Sequence, residues 1–341
     1  MRLLEDRRVL VCVGAGGVGK TTVAAALALA ASRAGQRALV VTIDPARRLA
    51  SALGLETLGD QPNPVPGAPR LEAMMLDQKR AWDRLVTRHA RTPEARERIL
   101  ANRFYKDVSG AFAGAHEYLA LEELATLASS GRHEVIVVDT PPAVHAFEFL
   151  DAPSRLAGLL DRKLLRWAAG SARPLGRTAK FFASLMESGA GGQTLRDLAD
   201  LMSEMGGMFD VLTRRAKAVR DLLHDRRTAI VLVSAPDTLG VRQAMAARER
   251  LREVKLPPAA VIVNRAHPRV PEGEVSAAEL TAAGIGGPVE WIAENARTHR
   301  RLAAAENLRV ESLAPTAVVR TLDEDVADLE GLTRMVELLG A

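Results

Sequence analysis

Short apolar runs recur along this chain, separated by longer stretches with helical spacing. The runs are Arg8–Val13, Ala38–Thr42, Leu71–Leu76, Glu134–Asp139, Ala229–Ser234 and Ala259–Asn264, with weaker ones at Val289–Ile292 and Thr316–Val319. They are rich in Val, Ile and Leu and show no strict polar alternation, which marks strands buried on both faces of a parallel sheet. Helical patterns lie between most of them, so the chain is predicted to be α/β, a largely parallel sheet flanked by helices and built from βαβ units. Such sheets bind ligands at the carboxyl ends of their strands. Asp44, Asp139, Ser234 and Asn264 close four of the runs or follow them directly, and are expected to face one crevice.

Two stretches break the alternation. Gln78–Ser129 reads as helical, and so does Asp151–Asp225, interrupted by Gly189-Ala190-Gly191-Gly192. The expected organisation is one domain over residues 1–341 with helical insertions at about 78–129 and 151–225. Gln61–Gly67, with three prolines, is expected to be an extended loop. Met202, Met205 and Met208 recur at spacing three beside Phe209. A methionine stripe can adapt to varied apolar partners, although a core-facing stripe is the commoner use of that pattern. The longest nearly uninterrupted apolar stretch, Val23–Ala31, is about half the length of a bilayer span.

Chemistry enters at Gly14-Ala15-Gly16-Gly17-Val18-Gly19-Lys20-Thr21, which stands between the first strand-like run and an Ala/Leu-rich helix. A strand, a glycine turn and a helix give the context in which this spacing makes a phosphate-binding loop. Glycines let backbone N–H groups converge on phosphate oxygens, and the helix N-terminus adds partial positive charge. The pattern predicts a nucleoside triphosphate held by Gly16, Gly17, Val18, Gly19, Lys20, Thr21 and Thr22. Lys20 would reach the β- and γ-phosphates, and the Thr21 hydroxyl would ligate Mg²⁺. Asp44, in Asp44-Pro45-Ala46, is placed to orient an attacking water, or to cap a helix beginning near Pro45. Asp139 ends a buried run and fits a carboxylate that binds Mg²⁺ directly or through water. His145, just beyond, is expected to be structural.

Composition narrows the alternatives. The chain has one cysteine, Cys12, inside the first run, which excludes disulfides, Cys-based zinc sites and iron–sulfur clusters held by this chain alone. The net charge of +4 comes from arginines spread along helices, without the aromatic-plus-basic pattern that stacks bases, so no nucleic-acid partner is expected. The expected location is the cytoplasm.

The phosphate loop, Asp44-Pro45-Ala46, Asp139-Thr140-Pro141-Pro142 with His145, and Val263-Asn264 together resemble one group of deviant-Walker P-loop ATPases, which holds the ArsA arsenite-pump ATPases and the targeting factors for tail-anchored membrane proteins. Gly114–Glu122 and Phe149-Leu150-Asp151-Ala152-Pro153 add matches, most similar to actinobacterial-type ArsA-like ATPases that occur as paired, dissimilar subunits. The resemblance implies Mg-dependent hydrolysis of ATP to ADP, a dimer formed around nucleotide, and a client or partner protein. It also implies switch roles for Asp44 and Asp139 and an adenine contact for Asn264, whose amide can pair with a base edge. Lys20, Asp44 and Asp139 are the implied catalytic residues.

Three features depart from that family. Ala15 stands where relatives carry a signature lysine that crosses the dimer interface. A cation supplied in trans to a phosphoryl transition state is worth about 10³–10⁵ in rate. The chain is therefore expected to pair with a paralogous ATPase that carries the lysine, or with itself with Arg47 or Arg48 substituting, or simply to turn over slowly. The cysteines that bind metalloid in arsenite pumps are absent, which argues against thiol-based arsenite transport. Arg320 falls where relatives have an adenine-loop proline, and could stack on the base instead. The alternative role is a positioning or regulatory switch of the MinD/ParA type. Membrane-binding members of that class often end in a basic amphipathic helix, whereas Asp323–Glu330 is acidic.

Overall fold

A computed structural model of the chain describes Leu4, Leu150, residues 6–76 except 45 and 47, 83–102 except 85, 89 and 91, and 115–141, 214–268 and 276–340. The chain divides into two compact units, one of Met1–Met75, His133–Ala146 and Arg226–Ala341, the other of Leu76–Arg132 and Phe147–Asp225. The strands are β1 (Val9–Gly14), β2 (Ala38–Thr42), β3 (Asn63–Val65), β4 (Ala68–Met75), β5 (Val135–Asp139), β6 (Thr228–Ser234), β7 (Ala260–Ala266) and β8 (Ala317–Arg320). The helices named here, among the described residues, are α1 (Lys20–Arg33), α2 (Arg48–Ala52), α3 (Pro93–Ala101), α4 (Ala115–Ser130), α5 (Thr238–Glu253), α6 (Ala277–Ala282), α7 (Val289–Ser312) and α8 (Leu329–Leu338).

The eight described strands form one sheet in the order β3-β4-β2-β5-β1-β6-β7-β8. Every neighbouring pair is parallel except β3 with β4. The strand order reverses at β1: α1 leads from it toward β2, and α5 leads from β6 toward β7 on the other side. This is an α/β P-loop fold with the phosphate loop at its switch point. Every residue of β1, β2 and β5 is buried, as unalternated apolar runs require. The Ala-rich α1 is buried on nearly all sides, and its small side chains let it lie close to the sheet. Leu332, Met335 and Val336 of α8 share one core with α1.

Two expectations need correction. Val289–Ile292 is the first turn of α7, opened by Pro288 at the N-cap and Glu290 behind it, and not a strand. Within the loop expected at Gln61–Gly67, Asn63–Val65 forms an edge strand, where the missing N–H of Pro64 is tolerated.

In the second unit the described helical residues include α3, α4, 83–84, 86–88 and 214–223. Glu122 and Glu123 of α4 are buried and matched by arginines. Arg215 Nε lies 2.5 Å from Glu122, Arg88 stands 3.7 Å from Glu122 and 3.3 Å from Glu123, and Arg84 stands 3.7 Å from Glu123. The glycine gap at 189–192, Met202, Met205, Met208, Phe209 and His145 lie outside the described residues. No helix among the described residues is long and apolar enough to cross a membrane.

Candidate nucleotide site

The phosphate loop leaves β1 at Gly14 and enters α1 at Lys20. Gly14 is required by its neighbour: a Cβ there would meet the Val233 carbonyl oxygen at 2.2 Å. Gly19 is required twice, by its φ of 90° and because a Cβ would lie 2.1 Å from Asn264 Nδ2. Gly16 and Gly17 are exposed, Val18 is buried in the core, and Thr21 and Thr22 are half-buried. Lys20 is buried, and its ammonium donates back across the loop to the Ala15 carbonyl at 2.8 Å. Burial lowers its pKa, opposed by the nearby carboxylates of Asp139 and Asp44.

Strand register builds the other half of the site. Thr42 of β2 and Cys12 of β1 both stand level with Asp139 of β5, in one row across three strands. Asp139 is 1% exposed, and its Oδ2 accepts from the Thr21 hydroxyl at 2.8 Å and the Thr42 hydroxyl at 3.0 Å. Its Oδ1 is buried without a hydrogen-bond partner among the described residues. Burial raises the Asp139 pKa from 3.8 to about 6, while the two hydroxyls and Lys20 hold it down. A buried oxygen without a donor, beside a hydroxyl on a helix N-terminus, suits a hard cation that prefers oxygen ligands. Thr140 fixes the strand exit by donating to the Cys12 carbonyl at 2.7 Å. The Cys12 thiol is fully buried, and burial with the Asp139 charge pushes its pKa well up, so thiolate chemistry is suppressed.

Asp44 follows β2 in a loop of its own. Its carboxylate accepts from the Ala46 N–H at 3.0 Å and pairs with Arg48 at 3.3 Å. That local turn competes with helix, and α2 opens at Arg48 instead of near Pro45. Asp44 lies close enough to raise the pKa of both Lys20 and Asp139. Ser234 is buried at the end of β6, donating to the Ala235 carbonyl.

At the end of β7, Asn264 Nδ2 donates to the Val18 carbonyl at 3.0 Å, tying this strand to the phosphate loop. The strand then bulges at Arg265, whose φ is 60°. Beyond it the buried carboxylate of Glu306, from α7, accepts the His267 N–H at 2.7 Å and meets its Nδ1 at 2.6 Å. Arg320 of β8 donates to the His267 carbonyl. The sequence-predicted residues thus fall in two groups: Lys20, Thr21, Asp44 and Asp139 around the loop, and Asn264 with Arg320 at the β7 exit. Thr42 and Glu306 were missed. Thr42 carried a weak signal, since it and Asp139 are the polar ends of two adjacent apolar runs.

A family model described as anion-transporting ATPase matches residues 7–280. ATPase GET3 of Malassezia globosa is 28% identical over 254 residues, covering 74% of this chain and 71% of that protein. ATPase ARSA2 of Chlamydomonas reinhardtii is 26% identical over 259 residues, covering 74% and 66%. An uncharacterized Streptomyces coelicolor protein is 34% identical over 237 residues, which are 68% of this chain but only 56% of that longer relative. With its phosphate loop built between β1 and α1 and the family model spanning most of its length, this chain belongs to the ArsA, or anion-transporting, ATPase family and is an ATPase.

Proposed function

We propose that this ATPase is a magnesium-dependent dimeric switch whose nucleotide state is read by a client or partner protein. The observation that carries the reading is the Thr21–Asp139 pair at 2.8 Å with Asp139 Oδ1 unpaired beside it. Thr21 and Asp139 would hold the cation, which when bound neutralises charge on the phosphates. Gly16 through Thr22 supply the N–H groups and the Lys20 ammonium that grip the triphosphate. Asp44 orders the attacking water, and Asn264 and Arg320 flank the base. The segments at 78–129 and 151–225 are insertions in a single ATPase domain and supply the surface that the client meets.

Relatives named ATPase GET3 support a role of the tail-anchored-targeting kind, with a hydrophobic protein segment as client. Ala15 supports a heterodimer in which a paralogous subunit brings the trans cation, with a slower homodimer as the second possibility. A membrane-positioning switch has less support, because the apolar side of α8 is buried against the core and is not free for lipid. Equilibrium titration of ATP into wild type and Lys20→Ala tests the site, and at least a 100-fold loss of affinity is expected. Native mass measurement with ADP and ATP, with and without a lysine-bearing paralogue, tests the pairing; a tight 1:1 hetero-complex is expected, and a fully active homodimer would overturn it.

A further inference from the structure

We propose that Thr42 is a positioning residue for hydrolysis, joining the two nucleotide-reading segments through a single hydroxyl. The Thr42 hydroxyl donates to Asp139 Oδ2 at 3.0 Å and accepts from the Asp44 N–H at 3.2 Å. The residue is 1% exposed and ends a strand whose other members, Ala38, Leu39, Val40 and Val41, are all apolar. Valine has nearly the same shape and the strand preference of its neighbours, so packing alone gives no reason for a hydroxyl here.

The hydrogen bonds supply one. Asp139 receives donors from two elements, Thr21 on α1 and Thr42 on β2, and both go to the same oxygen. The carboxylate is thereby fixed about its last torsion with Oδ1 left over. A carboxylate held by one donor would be free to rotate, and an outer partner of this kind commonly governs how well a ligand group meets its metal. The same Thr42 oxygen accepts the Asp44 N–H, one residue after the Ile43 N–H donates to the Asp139 carbonyl at 3.2 Å. That backbone bond holds the two strand exits together, and the Thr42 hydroxyl joins the Asp139 carboxylate itself to the Asp44 loop, so a displacement of either reaches the other.

The inference rests on Asp139 serving the cation, and the experiment separates the two claims. ATP affinity is measured with Mg²⁺ and with chelator, and amide hydrogen exchange is followed in a peptide covering Asp44, for wild type, Thr42→Val and Thr42→Ser. Thr42→Val is expected to keep the Mg²⁺-free affinity and lose about tenfold of the Mg²⁺-dependent gain, the scale of one hydrogen bond to a charged group. Exchange at Asp44 should quicken severalfold, and Thr42→Ser should restore both. A Thr42→Val protein matching wild type in both readouts overturns the proposal. So does a serine variant as impaired as valine, since the lost methyl would then be the cause. If valine prevents folding, Thr42→Ala against Thr42→Ser makes the same comparison. A wild-type chain whose ATP affinity ignores Mg²⁺ would remove the premise and the proposal together.

Discussion

Asp139 at the end of β5 and Glu122 within α4 are carboxylates buried to a similar depth, 1% and 2% exposed, in different compact units. Their surroundings differ in kind. Glu122 faces the guanidinium groups of Arg215 and Arg88, and its neighbour Glu123 faces Arg88 and Arg84. Asp139 has two hydroxyls on one oxygen and, among the described residues, no hydrogen-bond partner on the other, while the Lys20 ammonium gives its hydrogen bond to Ala15. A carboxylate matched by arginines has its counter-charge within the fold and holds helices together. A carboxylate held by neutral donors, and raised by burial, suits a cation. The contrast separates a structural ion network from the proposed cation site, without reference to any motif.

The comparison can be broken most severely at Glu122. Glu122→Gln leaves guanidinium groups without their counter-charge, and a loss of about 3–4 kcal/mol in unfolding free energy is expected, the lower part of the range for breaking a buried pair because the arginines are partly exposed. Chemical denaturation checks it; a loss below about 1 kcal/mol would make the network a surface feature. At Asp139 the sign is reversed. Its folded pKa of about 6 exceeds the ordinary 3.8, so the folded protein keeps a proton that the unfolded chain has released. The stability this contributes is complete below pH 3.8 and is lost as pH rises to about 6, in all roughly 3 kcal/mol. Without nucleotide or metal, the stability difference between wild type and Asp139→Asn should therefore fall across that window. A flat difference would contradict the burial argument.

Function should respond where stability does not. Asp139→Asn is expected to cost about 100-fold, or roughly 2.7 kcal/mol, in Mg²⁺-dependent turnover. It should leave folding at neutral pH unharmed, checked by steady-state kinetics beside a thermal melt. The smallest effect is expected at Arg48, whose pairing with Asp44 is largely exposed. Arg48→Ala should change stability by less than about 0.5 kcal/mol.

How much of this was legible in the sequence follows from how local each feature is. The phosphate loop was readable because glycines, Lys20 and Thr21 act through the backbone of one turn, and the buried strands because apolar runs need no partner to be recognised. Val289–Ile292 looked like a strand because four residues cannot show helical spacing. Pro288 and the twenty residues that follow decided the matter. The Thr42–Asp139 contact spans 97 residues and exists only through the register of β2 with β5. The arginines around Glu122 come from segments on both sides of α4, and no local pattern links them. Glu306 is hidden in the same way, since it reaches His267 only when α7 packs beside the end of β7.

The proposed cation site depends on Asp139 Oδ1. Calorimetric titration of ATP, with Mg²⁺ and with chelator, into wild type and Asp139→Asn tests it most directly. Wild type is expected to gain affinity with Mg²⁺, and that gain should fall by about tenfold or more in the variant while Mg²⁺-free binding persists. Equal gains in the two proteins would contradict it.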